Sequence, residues 1–119
     1  MLKKIQWFLF FVIFFVTFIS CAFDIDDYSQ DVKYSVTGTA LTVDITIENE
    51  NGGTSQYSDV AVPWEYSFTG WEGDFIYLSA QNQGSSGSVI CTIYRNGGEY
   101  KSSTSSGAYV IATVSGLLP

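Results

Sequence analysis

The sequence predicts an all-β protein, an antiparallel β-sandwich of seven to eight short strands. Three observations carry that prediction. From Asp31 onward, hydrophobic and polar residues alternate with a period of two. Clusters of Gly, Asn and Ser break the alternation at short intervals. Past residue 23 there is no helical periodicity. The length of the patterned region, residues 31–119, favours an immunoglobulin-like sandwich, although the cysteine–tryptophan–cysteine hallmark of that fold is missing.

Taken in order, Val32, Tyr34 and Val36 share one strand face. Leu41, Val43, Ile45 and Ile47 share the next, opposite Thr42, Asp44, Thr46 and Glu48, the pattern of a strand buried on one side. Gly38-Thr39-Ala40 is short enough to join the two as a hairpin. Asn49 to Gly53 ends the second strand with residues that tolerate positive φ. Ser55 to Val62 leads into a central stretch of three strands, Trp64–Thr69, Phe75–Gln81 and Ser88–Arg95. Pro63 has no N–H to give to a ladder and marks a strand edge or bend. Asn96-Gly97-Gly98 closes a hairpin with arms Val89–Arg95 and Glu99–Ser103. Ser105-Ser106-Gly107 turns the chain into a last strand, Ala108–Ser115.

The N-terminal residues read differently. Lys3 and Lys4 precede a nearly unbroken apolar run, Ile5 to Ile19, and Ser20-Cys21 follows. Basic, apolar, small residue at the cut is the logic of a secretory signal. Phe18-Ile19-Ser20-Cys21 has the form of a bacterial lipobox, with Phe18 where leucine is usual. On this reading residues 1–20 are a signal peptide, Cys21 is lipidated, and residues 21–30 are an acidic tether. The competing reading is a retained membrane helix. Both place the lysines on the cytoplasmic side. Asp24, Asp26 and Asp27 lack the glycine and distal glutamate of a calcium loop and read as a solvated spacer. Acidic residues after a lipidated cysteine also resemble sorting signals, which points to the outer membrane.

The whole chain carries a formal charge of −7. Beyond Cys21 only Lys33, Arg95 and Lys101 oppose twelve acidic residues, a balance of three minus twelve, or −9. That charge argues against nucleic acid and against docking of the domain on anionic lipid. The sequence has no histidine, the commonest general base and metal ligand. Serine nucleophiles therefore lack their usual base, and no Gly-rich segment matches a phosphate cradle with lysine. Glu65, Glu72 and Asp74 could serve as paired carboxylates only across a cleft, which a domain of this size rarely encloses. The expectation is a non-enzyme with no metal and no cofactor. With Cys21 lipidated, Cys91 is a lone thiol, expected in the core with Val89 and Ile93. Trp64, Tyr66, Phe68, Trp71, Phe75 and Tyr77 could form a sugar- or lipid-binding platform, but aromatic residues also fill small β cores, and Trp64, Tyr66 and Phe68 share a strand face and read as core filling. Pro63 and Trp64 together read as a structural corner. Trp71, in a Gly-rich turn, is the candidate partner contact.

The order Val32-Lys33-Tyr34-Ser35-Val36-Thr37-Gly38, a Val-Asp-Ile-Thr-Ile strand, Val62-Pro63-Trp64, Leu78-Ser79-Ala80-Gln81-Asn82, Val89-Ile90-Cys91-Thr92-Ile93-Tyr94, Gly97 and Ser106-Gly107 resembles the MmpS family of transport accessory proteins. The resemblance covers about Val32 to Gly116. It implies a small β-sandwich outside the membrane on an N-terminal anchor, and an envelope exporter or hydrophobic cargo as partner. In that family the cysteine matching Cys91 pairs with one near the C-terminus. Here that region reads Ala112-Thr113-Val114-Ser115-Gly116, so the disulfide is absent. The anchor also departs from the family, since it reads as a lipid rather than a transmembrane helix. A transport accessory or binding module is the first functional expectation, and a surface interaction or adhesion domain is the second.

Overall fold

The computed structural model describes residues 29–119, which form eight strands and no helix. They are β1 Ser29–Thr37, β2 Thr42–Glu48, β3 Thr54–Ala61, β4 Trp64–Trp71, β5 Phe75–Asn82, β6 Ser88–Arg95, β7 Gly98–Ser106 and β8 Ile111–Leu117. Two four-stranded sheets, ordered β4-β1-β6-β7 and β3-β2-β5-β8, pack face to face. Every strand pairing is antiparallel. The expected antiparallel β-sandwich is what the chain forms. The expected signal peptide, Cys21 and nearly all of the expected tether lie outside the described residues.

Alternation places the core. Val32, Tyr34 and Val36 of β1 and Val89, Cys91 and Ile93 of β6 point inward from one sheet. They meet Val43, Ile45 and Ile47 of β2 and Ile76, Leu78 and Ala80 of β5 from the other. These four strands are central, which is why they carry the β-branched residues. The edge strands β3 and β7 are polar, which blunts them against pairing with other chains.

The two open sides of the sandwich close by different means. On one, Trp64, Tyr66 and Phe68 of β4 and Tyr57 of β3 make a half-buried aromatic row against the core. Tyr57 and Trp64 rings lie 5.3 Å apart, and Trp64 stacks on Tyr66 at 6.2 Å. On the other, Lys101 Nζ donates to the Ser115 carbonyl at 2.9 Å, and Tyr100 Oη donates to the Leu117 carbonyl at 3.1 Å.

One side chain ties the layers through the middle. Tyr34 is fully buried. Its hydroxyl donates to the Glu48 carbonyl at 2.8 Å and accepts from the Tyr77 N–H at 3.3 Å. Tyr34 belongs to one sheet and both partners to the other. Burial pushes the phenol up to about 12.

Several expectations need correction. β1 and β2 are not a hairpin. Residues 38–41 cross from one sheet to the other, and β1 pairs with β4 and β6 instead. The reason is that each strand has its own apolar face, and the two faces bury each other only when placed opposite. Gly38, at φ 126°, makes the crossing where a Cβ would collide with the Ser88 carbonyl. Leu41 belongs to this crossing and not to the inner face of β2, and it is 87% exposed. Residues 54–61 are a full strand paired with β2 rather than a lead-in. Ser105 and Ser106 belong to β7, and the last strand begins at Ile111 because residues 107–110 form a loop. Ser29 and Gln30 extend β1 into the expected tether. Gln30 is held there by a bond from its Nε2 to the Pro119 carbonyl and one from Arg95 Nε to its Oε1.

Replacing Tyr34 by Phe should cost about 1–3 kcal/mol, because the Glu48 carbonyl and Tyr77 N–H lose a buried partner. Urea melts of the two proteins check this, with an unchanged m-value marking an intact fold.

Candidate functional site

Each strand runs the length of the sandwich, so the loops collect at two ends. At the end where β1 finishes lie residues 38–41, 83–87 and 107–110, together with the Val62–Pro63 link. The first three are hydrogen-bonded into one platform. Thr39 and Ala40 N–H groups donate to the Ser88 carbonyl at 3.1 and 3.0 Å. Gly107 N–H donates to the Gly87 carbonyl at 2.9 Å, and Tyr109 N–H to the Gly84 carbonyl at 3.2 Å. Gly87, at φ 106°, lets the backbone pass close to Ala40.

Asn82 is the hub of this platform. It is fully buried at the end of β5. Its Nδ2 donates to the carbonyls of Ser86 at 2.9 Å and Gly107 at 3.0 Å, and its Oδ1 accepts from the Gly84 N–H at 2.8 Å. One amide thus fixes two loops at low cost, since its buried polar atoms are all satisfied.

The platform displays apolar groups. Leu41, Tyr109 and Ile111 are 87%, 60% and 54% exposed. Tyr109 has φ 57°, uncommon for a bulky residue, and is held there by its own N–H bond to Gly84 and by Gln81 Nε2 on its carbonyl. A backbone held in this region to present a large ring to solvent marks a functional candidate. The three loops contain no Asp, Glu, Lys or Arg. A shallow groove of about 260 Å³ runs between Leu41, Thr42, Gln83 and Ser86.

Trp71 lies at the opposite end. It is the last residue of β4, in register with Ser29, and half-exposed. β4 runs two residues past its expected end at Thr69, so Gly70 and Trp71 are strand and the turn is Glu72-Gly73-Asp74. Asp74 Oδ2 accepts from the Trp71 N–H at 2.9 Å, and the C-terminal residues brace the turn through Gly73 N–H to the Leu118 carbonyl at 2.8 Å. Phe75 and Leu117, cross-strand neighbours at the same end, are also exposed.

The other sequence candidates fall into structural roles. Pro63 is exposed at the link from β3 to β4, where the chain changes sheet, and its preceding peptide bond is cis. Trp64 turns inward but is covered only in part, because β4 is an edge strand. Cys91 is fully buried between Val89 and Ile93, and its Sγ lies 3.4 Å from the Ala112 carbonyl on the facing sheet. Burial pushes the thiol up to about 12. The carboxylates do not converge. Glu65 sits on the outer face of β4, 3.8 Å from Lys33, while Glu72 and Asp74 lie beyond the far end of that strand. Among the described residues, no three His, Cys, Asp or Glu side chains gather as a metal site.

Sequence reading missed the loop platform. Its residues come from three separate segments that only the folded chain assembles, and Gly, Ser and Asn read simply as turn chemistry. The one available signal was Tyr109 among small residues. No protein-family model matches the chain, and neither does any curated protein.

Two outcomes are expected. Thiol reagents should label Cys91 only on unfolding. Because its folded pKa is raised above the unfolded value, the stability it contributes is present below about pH 9 and is lost as pH climbs toward 12. Near pH 10 the loss should be on the order of 1 kcal/mol, and Cys91→Ala should flatten that part of a stability–pH curve. Separately, Trp64→Ala should cost roughly 3 kcal/mol, the low end of the range for a buried tryptophan, because most of its ring is covered against the core. Trp71→Ala should cost well under that in the same urea melts.

Proposed function

We propose that this protein is a lipid-anchored module of the bacterial cell envelope that holds a recognition surface away from the membrane. Cys21 carries the lipid, the acidic tether leads to Ser29, and the outer membrane is the membrane occupied. The observation that carries this reading is polarity. The chain enters at one end of the sandwich, and the Asn82-braced platform with Leu41, Tyr109 and Ile111 stands at the other. Strands of eight residues separate the two ends by about 26 Å.

The occupant we favour is an envelope exporter or its hydrophobic cargo, the role of a transport accessory protein. The MmpS-like motifs support it, and so do the exposed apolar groups on an uncharged platform. Cys91 also lies against β8, the strand that holds the region where the family's partner cysteine would fall. A second reading, a surface interaction or adhesion domain without a transport role, draws on the Gly, Ser and Tyr content of the loops. Such loops suit adaptable protein recognition.

A photo-crosslinking residue at Tyr109, in the full chain in its native membrane, tests the proposal. A membrane exporter as the main adduct is the expected result, and Leu41→Ser with Ile111→Ser should abolish it without lowering urea stability. An adduct only with proteins of other cells would favour adhesion. Purified protein that retains Met1 would overturn cleavage before Cys21.

A further inference from the structure

We infer that the anchor-side end of the sandwich seats on a zwitterionic lipid surface through Trp71 on one sheet and Phe75 and Leu117 on the other. This rests on the tethered-module reading above. Three observations lead to it.

The first is reach. The chain advances eight residues from Cys21 to Ser29, a span of at most about 29 Å when fully extended. Ser29 is directly opposite Trp71 in the β1–β4 ladder. A chain held by its N-terminal anchor therefore joins the bilayer through this end of the domain, within that reach. A retained membrane helix ending near Phe23 would shorten the tether further, so the geometry is the same on either reading.

The second is the character of the side chains. Trp71, Phe75 and Leu117 are 48%, 50% and 62% exposed, and they bracket the end from both sheets. Trp favours the bilayer interface, where its ring is half in hydrocarbon and its N–H is wet. The turn that follows Trp71 is rigid, since Asp74 receives the Trp71 N–H and the Leu118 backbone holds both Gly73 and Asp74. Little ordering is left to be done on contact.

The third is charge, which selects the lipid. Glu72, Asp74, Glu50 and Asp31 surround this end, and Arg95 is engaged with Gln30. An anionic bilayer would repel it, whereas a neutral headgroup layer would accept the rings. Seated in this way, the domain stands upright and its loop platform points away from the membrane.

The test uses the full chain in phosphatidylcholine vesicles, with tryptophans removed so that one remains. Trp7→Phe with Trp64→Phe leaves Trp71, and Trp7→Phe with Trp71→Phe leaves Trp64, which starts β4 at the other end. Lipids brominated near the headgroup end of their acyl chains should quench Trp71 several-fold more than Trp64. Adding anionic lipid should weaken that quenching. Absence of quenching at Trp71, while the chain still floats with the vesicles, would overturn the inference and leave tethering intact. Equal quenching of both would also overturn it, because the domain would then lie on its side. Trp71 protected from both bromolipid and iodide would mean that the tether covers it, again overturning the inference. Loss of the chain from the vesicles would overturn tethering itself, and the seating with it.

Discussion

The sandwich depends on a hydroxyl that crosses it. Tyr34 fills the space between sheets as a large apolar body, yet its oxygen must find partners or cost free energy. It finds them in the Glu48 carbonyl and the Tyr77 N–H, one from β2 and one from β5. Those two strands are the centre of the opposite sheet. A purely apolar core would press the sheets together without choosing their relative position. This polar contact selects one position, because sliding either sheet would strand a buried dipole. The Cys91 thiol, against the Ala112 carbonyl, makes a weaker contact of the same kind further along.

Once the layers are set, the loops have no freedom to be elsewhere. Five of the seven connections cross between sheets, and only β2–β3 and β6–β7 join neighbours within one. A sandwich built from crossings brings loops from distant segments together at each end. Asn82 then makes two of them behave as one body, by placing a buried amide where Ser86 and Gly84 of one loop and Gly107 of another can all reach it. Rigid loops on a rigid frame can hold a ring such as Tyr109 in an uncommon backbone conformation.

The two ends differ in chemistry as well as in place. The platform loops carry no charge, while the end near Ser29 is crowded with acidic residues around three exposed apolar ones. The charged residues lie on the outer faces and in the turns near Ser29. The far end is thereby left free to be neutral, which lowers the desolvation cost of a contact there.

By itself, the sequence determined the class of fold and most of its strands. Period-two alternation needs only near neighbours, so Val43, Ile45 and Ile47, or Val89, Cys91 and Ile93, declare an inner face without knowledge of what covers it. The burial of Cys91 was legible for the same reason. Alternation is silent about which sheet a strand joins, and so a short Gly38-Thr39-Ala40 link looked like a hairpin. An immunoglobulin constant-type sandwich sets four strands against three, whereas here four face four, a count that length could not supply. Tertiary structure alone decided that β1 and β2 face each other, that Trp64 sits on an edge and is covered only in part, and that Leu41, Tyr109 and Ile111 meet on one surface. Those outcomes depend on contacts between residues tens of positions apart, and such contacts leave no local pattern to read.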